Sequence, residues 1–341
     1  MRRILSGIMA LLLACSLPLT ALAEVVADVS LGDVTIGDTD ITHTVHKEGN
    51  TGTVEKTEAH NNSVTVKGSS ETNTVTITAG SDETPANVNV TIQTETNGTT
   101  NVVLEDAYID TSSDGAAIQI TGGGDVTVEL DGKSELTSGE NHAGLQTSTE
   151  GGSLTITDED KDGFLTANGG ASGAGIGGGY DGNGYNITIE DGSVTANGGD
   201  KAAGIGGGYK GDGYYITIED GSVTASGGFG GAGIGGGNDG FGSDITIEDG
   251  SVTANGGENG AGIGGGQFSS GSDITISGGK VTAIGGYYYS SGNPETDPLL
   301  YAGAGIGSGG LGNSSVNITI SGDAQVTAVG AGNAANTGDG W

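Results

Sequence analysis

The tripeptide Ile-Thr-Ile recurs every 29 residues, at Ile187–Ile189, Ile216–Ile218, Ile245–Ile247 and Ile274–Ile276. Two further blocks keep the same interval. Val-Thr-Ala starts at Val194, Val223, Val252 and Val281, and Ala-Gly-Ile ends at Ile176, Ile205, Ile234 and Ile263. A fixed period of this length requires one short unit stacked on copies of itself. In Ile-Thr-Ile both Ile point to one face and Thr to the other. Val-Thr-Ala repeats that pattern on a second strand. Between them lies Glu-Asp-Gly-Ser, a turn in which glycine takes positive φ without strain. Ala-Gly-Ile is a third strand, followed by a glycine run such as Gly177-Gly178-Gly179. Nothing in the unit has helical period, so the chain is all-β. Three strands per repeat fit one coil of a parallel β-helix. A single coil holds too few large apolar residues to offset the ordering of its backbone, so cooperativity must run along the axis.

The interval extends outward with irregularities. Leu154-Thr155-Ile156 precedes Ile187 by 33 residues, and the four extra fall in Asp158-Glu159-Asp160-Lys161-Asp162-Gly163. Val126–Val128 with Ala143–Leu145 form another coil, and Val102–Leu104 with Ala117-Ile118 a shorter one. Val88–Ile92 and Val75–Ile77 are earlier strands. The reading is a signal peptide over 1–23, an irregular N-terminal β cap over 24–72, β-helix repeats over 73–329 and a tail over 330–341. The signal peptide rests on Met1-Arg2-Arg3, the apolar stretch Ile4–Leu13 and Ala21-Leu22-Ala23 before Glu24. A lipoprotein signal at Cys15 is the alternative. No later segment is apolar and long enough for membrane insertion. Extracellular or cell-surface localisation follows.

Cleavage after Ala23 would remove the single cysteine and both arginines. The mature chain then has 8 Lys against 43 acidic residues, a formal charge of −35. Such a surface repels nucleic acids and anionic membranes. It also repels uronic-acid polymers unless a divalent cation bridges them.

Coils of Ile-Thr-Ile, Val-Thr-Ala and Gly-Ala-Gly-Ile-Gly-Gly-Gly, behind a signal peptide and an alternating β segment, resemble secreted bacterial carbohydrate-binding-domain proteins. These are related in fold to pectate lyases. The resemblance spans roughly residues 30–330. It implies a right-handed parallel β-helix, associated with Ca²⁺, that binds plant-type polysaccharide without established catalysis.

Read from the residues themselves, Asp158-x-Asp160-x-Asp162-Gly163 places three carboxylates at alternate positions before a glycine, as a loop wrapping Ca²⁺ does. The closing Glu of an EF-hand is missing, since Gly169 stands there. The same turn in the next coil holds Glu190 and Asp191, followed by Glu219-Asp220 and Glu248-Asp249, until Ser277-Gly278 breaks the series. The candidate metal ligands are therefore Asp158, Asp160, Asp162, Glu190 and Asp191. A solvated acidic turn copied by duplication is the alternative. Gly240–Ile247 also matches most of a nine-residue calcium repeat, but its Asp position reads Asn186 and Tyr215 in other coils.

Flat rings with a phenol hydroxyl suit sugars, which present apolar faces and polar edges. Tyr180 and Tyr209 follow the glycine run in adjacent coils, and Tyr185, Tyr214 and Tyr215 precede Ile-Thr-Ile. Stacking should bring these columns onto one exposed face; shielding of glycine-rich bends is the competing explanation. The column after the glycine run changes to Asn238 and Gln267. An insertion between Val281 and Ile306 carries Tyr287-Tyr288-Tyr289, so Tyr288 joins the candidate sugar-binding set.

Catalysis finds little support. No arginine remains to act as a lyase base, and His43, His46, His60 and His142 have no metal spacing. No catalytic residue is assigned. The expected partner is a polysaccharide or cell-surface glycan. A surface adhesin or scaffold protein without a glycan ligand is the first alternative, and a polysaccharide lyase the second. Outward Thr columns, Thr188/Thr217/Thr246/Thr275 and Thr195/Thr224/Thr253/Thr282, fit β-propensity and solvation; ice binding is a remote class.

Overall fold

The computed structural model describes residues 32–36, 40–47, 50–58, 63–67, 74–147, 151–288, 301–312, 316–331 and 337–338. The expected signal peptide and residues 289–300 of the insertion lie outside them. The described residues contain strands and turns and no helix. They form a parallel β-solenoid with three walls.

The Ile-Thr-Ile wall pairs in register without slippage: Ile187 with Ile216, Ile216 with Ile245, Ile245 with Ile274, and Ile274 with Ile318. The Val-Thr-Ala wall pairs Val194, Val223, Val252, Val281 and Val326 in the same way. The third wall is a 10-stranded stack running from Ser63–Lys67 to Thr337–Gly338, with Ile-Gly dipeptides from Ile176–Gly177 to Ile306–Gly307. Both isoleucines of each Ile-Thr-Ile strand from Ile187 to Ile276 are 0% exposed, and the intervening Thr is half-buried on the outer surface. Period-2 alternation thus sends the apolar set into one continuous core along the axis.

Toward the N-terminus the Ile-Thr-Ile wall continues through Leu154–Thr157, Asp125–Asp131, Thr99–Asp110 and Thr74–Ala79. Thr99–Asp110 serves two walls, since its second half pairs with Lys133–Thr137. Gly32–Ile36 lies parallel on the strand Thr74–Ala79, and Asp40–Lys47 and Asn50–Glu58 follow antiparallel as a meander. Ser63–Lys67, inside the stretch expected as cap, already belongs to the solenoid. It pairs parallel with Asn89–Gln93 and buries Val64 and Val66.

Glycine in the third wall answers a packing demand. Gly206 and Gly235 have φ near 130°. A Cβ on either would sit 2.0 Å from the carbonyl oxygen of the glycine one coil on. Backbone therefore packs on backbone in these coils, which only glycine allows.

Candidate functional site

A trough of about 590 Å³ runs along the outside of the Ile-Thr-Ile wall. Its floor is the threonine column Thr217, Thr246, Thr275 and Thr319. Its side is the column two residues earlier: Tyr215, Asp244, Asp273 and Asn317. These side residues, with Asn186, share a left-handed backbone, with φ between 51° and 58°. Strand alternation puts the residue at i and the Thr at i+2 on the same outer face, so both bound the trough. Asn and Asp tolerate the left-handed backbone. Tyr does not do so readily, and an aromatic held there costs of order 1–3 kcal/mol. The Tyr215 side chain is also 56% exposed. The Asn317 amide donates to Asp273 Oδ1 at 2.8 Å, locking two residues of the side together.

The tyrosine rings touch in two sets rather than across one common face. Tyr180 and Tyr209 meet edge to face at 5.6 Å. Lys201 Nζ lies 4.7 Å and Lys210 Nζ 5.2 Å from the Tyr209 ring centre, so the chain supplies its own cations to this pair. The Tyr180 phenol, then that of Tyr209, holds the Lys210 ammonium pKa above its ordinary value. In the second set Tyr185 stacks on Tyr214 at 5.6 Å, and Tyr214 meets Tyr215 edge to face at 5.4 Å. Tyr185 is half-buried, and its hydroxyl accepts the Gly151 N–H at 2.6 Å. It braces a glycine-rich bend, as the shielding explanation expects. Tyr288 pairs antiparallel opposite Tyr301, with its side chain outside the described residues. Asn238 and Gln267, where the first column changes type, are buried and joined amide to amide at 3.0 Å.

The acidic insertion closes on itself. Asp158 is 3% exposed. Its Oδ1 accepts the Lys161 N–H at 2.9 Å and its Oδ2 the Gly163 N–H at 3.0 Å. Ligand oxygens of Glu129, Asp158 and Asp160 lie within 4.8 Å of one another. Asp160 is also hydrogen-bonded to Asp162, whose carboxyl pKa is raised by that bond and by the Asp160 charge. Glu129 is raised by burial, against the Glu159 N–H that it accepts at 2.8 Å.

The five expected ligands do not assemble as a set. Asp158 and Asp160 come together, Asp162 leans on Asp160, and Asp191 is occupied by Lys161 Nζ at 2.8 Å. That ion pair holds the Asp191 pKa below its ordinary value. Glu190 is an exposed neighbour of that pair. The reason is the lysine inside the insertion, which places a cation where the next coil's acid would have served. The hard carboxylate donors suit Ca²⁺, but three ligand atoms fall short of its usual six to eight, and backbone and solvent oxygens would have to complete the shell.

Glu129 is the residue that motif reading missed. It pairs in register with Thr157, immediately before Asp158. Aligning Val126–Val128 under Leu154–Ile156 would have found it. The Ser277-Gly278 break has a packing cause, because a Cβ at Gly278 would meet the Glu248 carbonyl oxygen at 2.2 Å.

Comparison with known proteins bears on the scaffold alone. Neither a curated protein nor a solved structure gives a match. A family model described as a beta helix repeat does match, at residues 161–180, 187–209, 216–238, 245–267 and 274–310.

Proposed function

We propose that this chain is a non-catalytic, polysaccharide-binding β-helix protein that works outside the cell, with Ca²⁺ as a structural ion. The observation that carries the reading is Tyr215, a tyrosine in left-handed conformation whose exposed ring borders the trough. Backbone held in a sparsely populated region clusters at ligand clamps, where surrounding structure sustains the strain. A ring face, a ladder of hydroxyls and fixed acceptors match the apolar faces and polar edges of sugars. The ladder repeats about every 4.8 Å along the axis, which suits an extended polymer better than a small ligand. Glu129, Asp158 and Asp160 are the residues that would hold Ca²⁺, pinning the insertion to the coil beneath it.

The test compares the mature protein with its Tyr215→Asn variant on a panel of soluble and insoluble polysaccharides, with and without EDTA. Asn already occupies this column at Asn186 and Asn317, so the variant should melt at the same temperature or higher. Retention of the bound glycan should fall at least tenfold. A protein that no glycan retains, or a variant that binds as well as wild type, would overturn the reading. A melting temperature indifferent to EDTA would remove the ion from it.

A further inference from the structure

The trough carries charge of one sign. Asp244 and Asp273 stand one coil apart along it, both exposed, and no cationic side chain lines it. The contrast with the other tyrosine set is informative. Around Tyr180 and Tyr209 the chain places Lys201 and Lys210 over the rings. Among the described residues no lysine nitrogen lies over Tyr215. A ring face beside two carboxylates attracts a cation on two counts, through the ring quadrupole and through charge. The formal charge of the whole chain, −33, adds long-range attraction for polycations and repels polyanions.

We propose that the ligand of this trough is an amino-bearing polysaccharide: a hexosamine polymer with free, protonated amines. An ammonium sits between Asp244 and Asp273, a sugar ring lies on Tyr215, and the threonine hydroxyls take the ring hydroxyls. The proposal rests on the glycan-binding reading above and refines its ligand class. The same charges repel carboxylated sugars.

The experiment measures affinity for one β-linked glucosamine polymer in its deacetylated and N-acetylated forms, at low and physiological salt. Three proteins are compared: wild type, Asp244→Asn/Asp273→Asn, and Asp220→Asn/Asp249→Asn. The last pair removes the same charge from exposed turn positions away from the trough. Wild type should bind the deacetylated form at least tenfold more tightly. The trough variant should lose that preference, and the turn variant should keep it. Equal affinity for the two forms would overturn the amine assignment while leaving glycan binding standing. Equal losses in both variants would reduce the effect to bulk charge and overturn it as well. EDTA-sensitive retention of a uronate polymer that requires Asp244 and Asp273 would replace the amine by a bridging cation. Failure of every glycan to bind would sink both readings.

Discussion

The coils before residue 169 and those after residue 184 fill the same cross-section in different ways. The early coils use volume. Leu130, Leu136, Leu145, Leu154 and Leu165 are buried there, and the third wall carries side chains such as Gln146. The later coils use contact. Their third wall is Ile-Gly from Ile205–Gly206 to Ile306–Gly307, with glycine backbone against glycine backbone. Side-chain packing accepts insertions and uneven turns, and the early coils contain both. Backbone packing leaves no room for a side chain at the contact itself, and the later coils hold their register even across the insertion between Val281 and Ile306, which falls between the walls. That register aligns Tyr215, Asp244 and Asp273 over their threonines. Irregularity produces the acidic loop at Asp158; regularity produces the trough.

The largest effect should come from a single methyl group in the later coils. Gly235→Ala places a Cβ 2.0 Å from the Gly264 carbonyl oxygen at a φ of 131°. Steric overlap and left-handed strain together should cost about 4 kcal/mol or more. Urea denaturation would measure it. A cost below that of the leucine truncation described next would break the comparison, because backbone contact would then not be what holds the later coils.

Leu136→Ala removes a fully buried side chain from the early coils. Partial collapse of the surrounding residues should limit the loss to about 3 kcal/mol, within the usual range for such cavities. The same denaturation series would show it as a lower midpoint with an unchanged slope. A changed slope would mean that the early coils unfold separately from the later ones, which would sharpen the contrast into two cooperative units.

The repeat was legible because the walls depend on alternation, which is written locally. Ile inside, Thr outside and glycine at the bends all follow from Ile-Thr-Ile and its spacing. The candidate sites were only half legible. Asp158 and Asp160 announce themselves by spacing, yet their partner Glu129 comes from another coil, and Lys161 takes Asp191 away. The trough was hidden for a different reason. The position before Ile-Thr-Ile reads Asn186, Tyr215, Asp244, Asp273 and Asn317, which resembles a degraded calcium motif. Its common property is a positive φ, which residue identity suggests for Asn and Asp but not for Tyr.

The smallest effect separates the acidic loop from the regular coils by pH. Glu129 and Asp162 have raised pKa values, so their contribution favours the folded state in acid and is lost as pH rises through them. Asp191 is lowered by Lys161, so its contribution is present at neutral pH and is lost only as pH falls through that lower value. In EDTA, the melting temperature should therefore rise as the pH falls from 7 into the carboxylate range, then fall in stronger acid as Asp191 protonates. Glu129→Gln should flatten the rise and leave the acid-side fall in place. Added Ca²⁺ should shift the rise to lower pH, because the ion competes with protons for the same oxygens. A rise of full size in Glu129→Gln would trace it to the negative charge of the whole chain, and the loop would then respond to acid no differently from the coils that flank it.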